Sequence, residues 1–115
     1  MLRGDVVWVD LDPARGNEAN KRRPAVVVSN EGANRTAETL GRGVVTVVPV
    51  TSATDTIYPF QVLLPAKSCG LTRKSKAQAE QVRSVAVQRI GAVMGHLPPS
   101  LLAELDDALR LHLDL

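Results

Sequence analysis

The sequence predicts a mainly β protein: a small barrel or sandwich of about six short strands followed by one amphipathic C-terminal helix. Three observations predict it. Short β-branched apolar runs recur along the chain, each ended by Gly, Pro or a polar cluster. Beyond Pro98 the apolar residues switch to helical spacing. The length, 115 residues, suits one domain spanning residues 1–115, and a chain of that size can bury a core without staples.

The first strand is Asp5 to Leu11, with Val7, Val9 and Leu11 on one buried face and Val6, Trp8 and Asp10 on the other. Asp12 to Arg23 is polar and contains Pro13 and Gly16, so it reads as a loop longer than a hairpin needs. Ala25 to Ser29 is a short buried strand opened by Pro24. Asn30 to Arg42 is mixed, with one helical turn at Glu31 to Thr36. Val44 to Val50 is the strongest strand pattern. Pro49 lacks an N–H, so its side of the ladder must be an edge or a bulge. Thr51 to Thr56 is a loop of small hydroxyl residues. Phe60 to Leu64 is a strand ended by Pro65, and Lys67 to Lys74 is a loop with Gly70 as turn residue. Lys76 to Val85 alternates loosely and reads as one strand. Ile90 to Leu97 is the last strand, interrupted by Gly91 and Gly95. Leu101, Leu102, Leu105, Ala108, Leu109 and His112 then mark a helix over about Pro99 to Leu113, with Pro in its first turn.

Composition narrows the chemistry. Hydrophobic residues make up 44% and charged residues 23%, as in ordinary globular proteins. The apolar runs are strand-sized, so no membrane span is expected. The chain starts Met1-Leu2-Arg3-Gly4-Asp5 without an apolar leader, and a cytoplasmic protein is the expectation. Cys69 is the only cysteine, which excludes an internal disulfide and a Cys-based zinc site. His96 and His112 are the only histidines, too few for a three-histidine metal site. Both read as packing or surface residues. No phosphate-cradling glycine loop or nucleophile elbow is present. Residues 1–97 carry 13 Lys/Arg against 8 Asp/Glu, a net of +5, whereas residues 98–115 carry Arg110 against four carboxylates, a net of −3. A basic body suits a polyanion such as nucleic acid. Trp8, Tyr58 and Phe60 are the only aromatics, too few for an extended base-stacking platform.

Four places can carry function. Lys21-Arg22-Arg23-Pro24 is the densest cationic cluster, either phosphate-binding or merely solvated. A guanidinium matches phosphate bidentately, and Arg23 is the most constrained because Pro24 biases it to extended backbone. Thr51-Ser52 ends a strand, where hydroxyls donate to phosphate oxygens or cap turns. Glu18, in the loop with the cations, stays ionised beside guanidinium groups; it can take a proton, bind a base amino group or form a surface ion pair. Glu80-Gln81-Val82-Arg83-Ser84 is polar on both faces, so it is an exposed edge or lines a groove where Gln and Arg meet bases or phosphates.

These residues coincide with one family. Arg3-Gly4-Asp5-Val6-Val7-Trp8, Asp10-Leu11-Asp12-Pro13, Gly16-Asn17-Glu18, Arg22-Arg23-Pro24-Ala25-Val26-Val27-Val28, Asn34-Arg35, Val48-Pro49-Val50-Thr51-Ser52, Tyr58-Pro59-Phe60-Gln61-Val62 and Glu80-Gln81-Val82-Arg83-Ser84 follow in order. In that order and spacing the chain resembles the MazF/PemK/Kid toxins of bacterial toxin–antitoxin pairs. The resemblance implies a small SH3-like barrel with a C-terminal helix, assembled as a homodimer. It implies a sequence-specific endoribonuclease on single-stranded RNA that uses no metal and no cofactor and leaves a 2′,3′-cyclic phosphate and a 5′-hydroxyl. It implies a cognate acidic antitoxin with a disordered tail. Arg23 and Thr51 match the family's catalytic pair. Asn17, Glu18, Lys21, Arg22, Ser52, Glu80, Gln81 and Arg83 are the matching candidates for RNA binding. The chain has Asn17 where some relatives have His, and Glu80 and Gln78 where some have Asp or Arg, so their His- or Asp-based proton transfer does not carry over intact.

Two other readings remain: a non-catalytic toxin on the same fold, like the related gyrase poisons, and a plain nucleic-acid-binding barrel. Neither requires the pair Arg23 and Thr51.

Overall fold

The computed structural model describes residues 1–11 and 22–115. Asn17, Glu18 and Lys21, and the loop expected around them, lie outside the described residues.

The first strand, β1 (Asp5–Asp10), pairs antiparallel with β2 (Arg22–Val27). That pairing runs on to Asp10 opposite Arg22, so β2 starts before Pro24 and takes in Arg22 and Arg23, which the sequence assigned to the preceding loop. Helix α1 (Glu31–Leu40) is ten residues long, not the single expected turn. The Asn30 side chain caps its start by accepting the Ala33 N–H, and Gly41 ends it at φ 64°. It is fastened by the fully buried Asn34, whose Nδ2 donates to the Ser29 carbonyl at 2.9 Å.

Strand β3 (Val44–Thr51) is the hub. One side pairs with β2; the other pairs first with β6 (Arg83–Ala86) and then with β5 (Ser75–Gln78). Pro49 falls between the last β6 pair at Val47 and the first β5 pair at Val50. Its missing N–H therefore sits where the ladder changes partner, which satisfies the edge-or-bulge requirement. The same change splits the expected strand Lys76 to Val85 in two, with a 3₁₀ turn at Ala79–Gln81 between the halves.

Strand β4 (Gln61–Leu64) adds outside β5, and β7 (Ile90–His96) adds outside β1. The seven strands run β4-β5-β3-β2-β1-β7, with β6 also on β3. No ladder joins β4 to β7 among the described residues, so the barrel is a strongly bent sheet. Where it would close, the short helix α2 (Ala66–Cys69), in the stretch read as a loop, brings backbone against backbone. A Cβ on Gly95 would lie 2.4 Å from the Cys69 carbonyl oxygen, and one on Gly70, at φ 74°, 2.3 Å from that of Met94. Only glycine permits such an approach.

The central strands β1, β2 and β3 are buried on both faces, which is why they read as nearly continuous apolar runs. Val6, Val26, Val48 and Val50 face one cluster, completed by Leu64, Leu97 and Leu105. Val7, Val9, Ala25, Val27, Val45 and Val47 face the other, against Ala37 of α1. The final helix, α3 (Pro99–Leu113), runs as expected. It buries Leu105 and Ala108 in the first cluster; a fully buried leucine contributes about 1.5–3 kcal/mol. Arg3 ties α3 to the sheet: Nε donates to the Val28 carbonyl at 2.9 Å and Nη2 to Asp106 Oδ1 at 2.7 Å. No helix among the described residues is long and apolar enough to cross a membrane.

Candidate functional site

A cleft of about 540 Å³ opens where the N-terminal end of β2 and the C-terminal end of β3 lie side by side. Arg22, Arg23, Thr51 and Ser52 all line it. The β2–β3 register pairs Ala25 with Pro49 and Val26 with Val48. Continued by two residues, it sets Arg23 opposite Thr51, and residues opposite one another in a ladder share a face. The exposed Arg23 and the Thr51 hydroxyl thus stand on neighbouring strands at one level, and both line the cleft. Among the described residues neither Arg22 nor Arg23 forms an ion pair.

Thr51 Oγ1 accepts the Ala53 N–H at 3.2 Å. The turn-capping role is therefore real. It is also compatible with the other, because a hydroxyl that accepts through a lone pair keeps its O–H free to donate. Ser52 is exposed beside it.

The cleft's far wall supplies a residue that the sequence reading missed. Arg73, between α2 and β5, lines the same space as Arg23. The buried Ser75 donates its hydroxyl to the Arg73 carbonyl at 2.9 Å and so fixes the turn that carries it. Only its cationic neighbours in Arg73-Lys74-Ser75-Lys76 signalled it.

Glu80, Gln81 and Arg83 do not line this cleft. Gln81 and Arg83 are exposed, and Arg83 pairs across β3 at Val47, four residues before Thr51. Glu80 is engaged elsewhere: Gln61 Nε2 donates to its Oε2 at 2.6 Å, while its Oε1 is buried without a partner among the described residues.

A family model for the PemK-like, MazF-like toxin of type II toxin–antitoxin systems matches residues 2–113. The chain belongs to this family. It is 61% identical to Endoribonuclease MazF9 of Mycobacterium tuberculosis, over 100% of this chain and 98% of that protein. It is 33% identical to Endoribonuclease EndoA of Bacillus subtilis, over 98% and 94%. Among solved structures, MazE-MazF (Form-II) from Deinococcus radiodurans superposes with a TM-score of 0.79 at 30% identity, covering 100% of this chain and 96% of that one. A fold of this MazF-like kind gives the ordered motifs their places. Arg3 clamps α3, Asn34 anchors α1, and Arg23 and Thr51 both line the cleft.

His96 Nδ1 lies 2.8 Å from Asp5 Oδ1, and the ring packs over Gly4, making it a surface packing residue. His112, read on the apolar face of α3, is exposed. Cys69 is buried, and burial pushes its thiol pKa up, so it stays protonated and unreactive near neutral pH. No cluster of three or more His, Cys, Asp or Glu among the described residues is arranged to hold a metal ion.

Proposed function

We propose that this chain is the RNA-cleaving toxin of a type II toxin–antitoxin pair, acting in the cytoplasm on single-stranded RNA. It cuts at a short sequence, without metal, by in-line attack of the RNA's own 2′-hydroxyl. A bond forms between that oxygen and phosphorus, the bond to the 5′-oxygen breaks, and a 2′,3′-cyclic phosphate and a 5′-hydroxyl result. The proton leaves the 2′-hydroxyl and one is delivered to the departing oxygen. The observation that carries this reading is the meeting of Arg23 and Thr51 in one cleft on neighbouring strands.

The protein needs no nucleophile of its own. It must hold the phosphate in line and stabilise the charge that grows on the non-bridging oxygens. Arg23 supplies a planar cationic fork for two of those oxygens. Thr51 donates its free O–H to one. Arg22, Arg73 and Ser52 hold the neighbouring phosphates. Asn17, Glu18, Lys21, Gln81 and Arg83 contact flanking nucleotides, and Glu80, whose Oε1 is buried, acts through its bond to Gln61 rather than on a base.

The chain works as a homodimer and is neutralised by an acidic, disordered antitoxin tail that enters the same basic groove. RNA and an acidic antitoxin peptide then compete for the Arg23→Ala variant, and the peptide weakens with salt. Independent binding of the two would refute a shared groove.

The function is tested by incubating the protein with a long single-stranded RNA in a chelating buffer. Discrete cuts, lost in Arg23→Ala, are expected. RNA that binds and stays whole would overturn the reading in favour of a plain nucleic-acid-binding barrel. Growth arrest with broken DNA and intact RNA would point to a gyrase-type poison.

A further inference from the structure

The segment between β3 and β4 follows Thr51 directly and is held from beneath by an unusual set of contacts. Lys76 is only 8% exposed, although it carries a charge. A buried ammonium is costly unless it is hydrogen-bonded. Here its Nζ donates to the Thr56 carbonyl at 2.7 Å and lies 5.9 Å from the centre of the Tyr58 ring. Gln61, also 8% exposed, takes the Tyr58 N–H on its Oε1 at 3.1 Å. Its other end is fixed by Glu80, which accepts from Gln61 Nε2. An amide held at its nitrogen must present its oxygen the other way, so Glu80 sets the orientation in which Gln61 grips the loop.

The brace presents something. The Tyr58 ring stacks on Phe60 with centroids 5.4 Å apart and planes within 9°, yet Tyr58 is 51% exposed. An aromatic pair with that much open surface is a place where an unpaired base gains by stacking. The same pair is tied to the cleft, because Lys76 is the β5 partner of Thr51 in the ladder. One residue therefore neighbours the catalytic hydroxyl at its backbone and the aromatic pair at its side-chain tip.

We propose that the Tyr58–Phe60 pair is a stacking subsite for one base beside the scissile phosphate, and that Lys76, Gln61 and Glu80 are positioning residues that hold it there. This rests on the RNA-cleaving reading above. It gives the buried Lys76 and Gln61 a purpose, and it gives Glu80 the task of orienting Gln61. Stacking tolerates any base, so the subsite governs how tightly RNA is held and where it lies, while the polar walls of the cleft choose the sequence.

The test uses a short cleavable RNA and a set in which single nucleotides flanking the cut are made abasic. In the wild-type protein one abasic position should raise KM about 5- to 150-fold, the loss expected for one stacked base, with kcat little changed. Tyr58→Ala should raise KM for the intact RNA similarly and be indifferent to that abasic position, the mark of a direct pairing. Tyr58→Phe keeps the ring and should keep the coupling. Lys76→Met, which retains the apolar stem, should lose the coupling, and Lys76→Arg should restore it; Gln61→Leu serves if Lys76→Met does not fold. Wild-type cleavage with no abasic position coupled to Tyr58 would overturn the subsite. Full coupling in folded Lys76→Met and Gln61→Leu would overturn the brace. Failure of the wild-type protein to cut the intact RNA would instead overturn the RNA-cleaving reading on which both rest.

Discussion

Replacing Thr51 by Val separates the turn-capping role that its hydroxyl has in the structure from the catalytic role proposed for it. The shape is kept and the oxygen is lost. Among the described residues Oγ1 takes only the Ala53 N–H, at 3.2 Å in an exposed turn. Water can serve that N–H once Oγ1 is gone, so the cost falls at the low end for a hydrogen bond, about 0.5–1 kcal/mol. For a chain of this size that lowers Tm by roughly 2–6 °C. A stability of about 5–15 kcal/mol then leaves the protein fully folded at 25 °C, so unfolding cannot explain a slower reaction. If the free O–H donates to a phosphate oxygen in the transition state, kcat should fall on the order of a hundredfold. Thermal melting and steady-state cleavage of a fluorogenic RNA, measured on one preparation, read both effects. Thr51→Ser should recover most of each. A Thr51→Val protein with the expected Tm loss and wild-type kcat would reduce Thr51 to a turn cap and refute its place in the chemistry.

Substitutions at two further positions probe the cleft and the closure of the sheet. Arg23→Ala should melt like wild type, since Arg23 is exposed, and should lose about a hundredfold or more in kcat; Arg23→Lys should also be poor because a point charge does not replace the fork, and normal rates in both would remove Arg23 from the mechanism. Gly95→Ala would set a Cβ 2.4 Å from the Cys69 carbonyl oxygen, where only backbone can move aside, so denaturant unfolding should give a loss of about 3 kcal/mol or more; a variant as stable as wild type would mean that α2 and β7 do not meet as described.

The strands were legible as short β-branched apolar runs ended by Gly, Pro or polar residues, and the last helix by its period, with Leu101 to Leu109 repeating at helical spacing. Helix α1 was under-read because Asn34 and Ala37 are its buried residues, and neither gives an apolar signal. Its boundaries were nevertheless present in Asn30 and Gly41, an N-cap and a left-handed C-cap. The break between β5 and β6 depends on which end of β3 each meets, a tertiary fact that local alternation does not carry. In the site, Arg23 and Thr51 stood out because each lies at the end of a strong strand pattern. Arg73 lay in a stretch with no period at all. Glu80 looked like a groove residue, and its bond to Gln61 depends on residues far apart in the chain.

The most direct test of the mechanism is made on the RNA. A substrate with a single deoxyribose at the nucleotide 5′ to the scissile phosphate keeps every phosphate, base and sugar contact except one hydroxyl. The protein should bind it nearly as well as the parent RNA and leave it whole, while the parent is cut to a 2′,3′-cyclic phosphate and a 5′-hydroxyl. Cleavage of the deoxy substrate at the same bond would mean that water or a protein group attacks, and the mechanism built on Arg23 and Thr51 would be wrong.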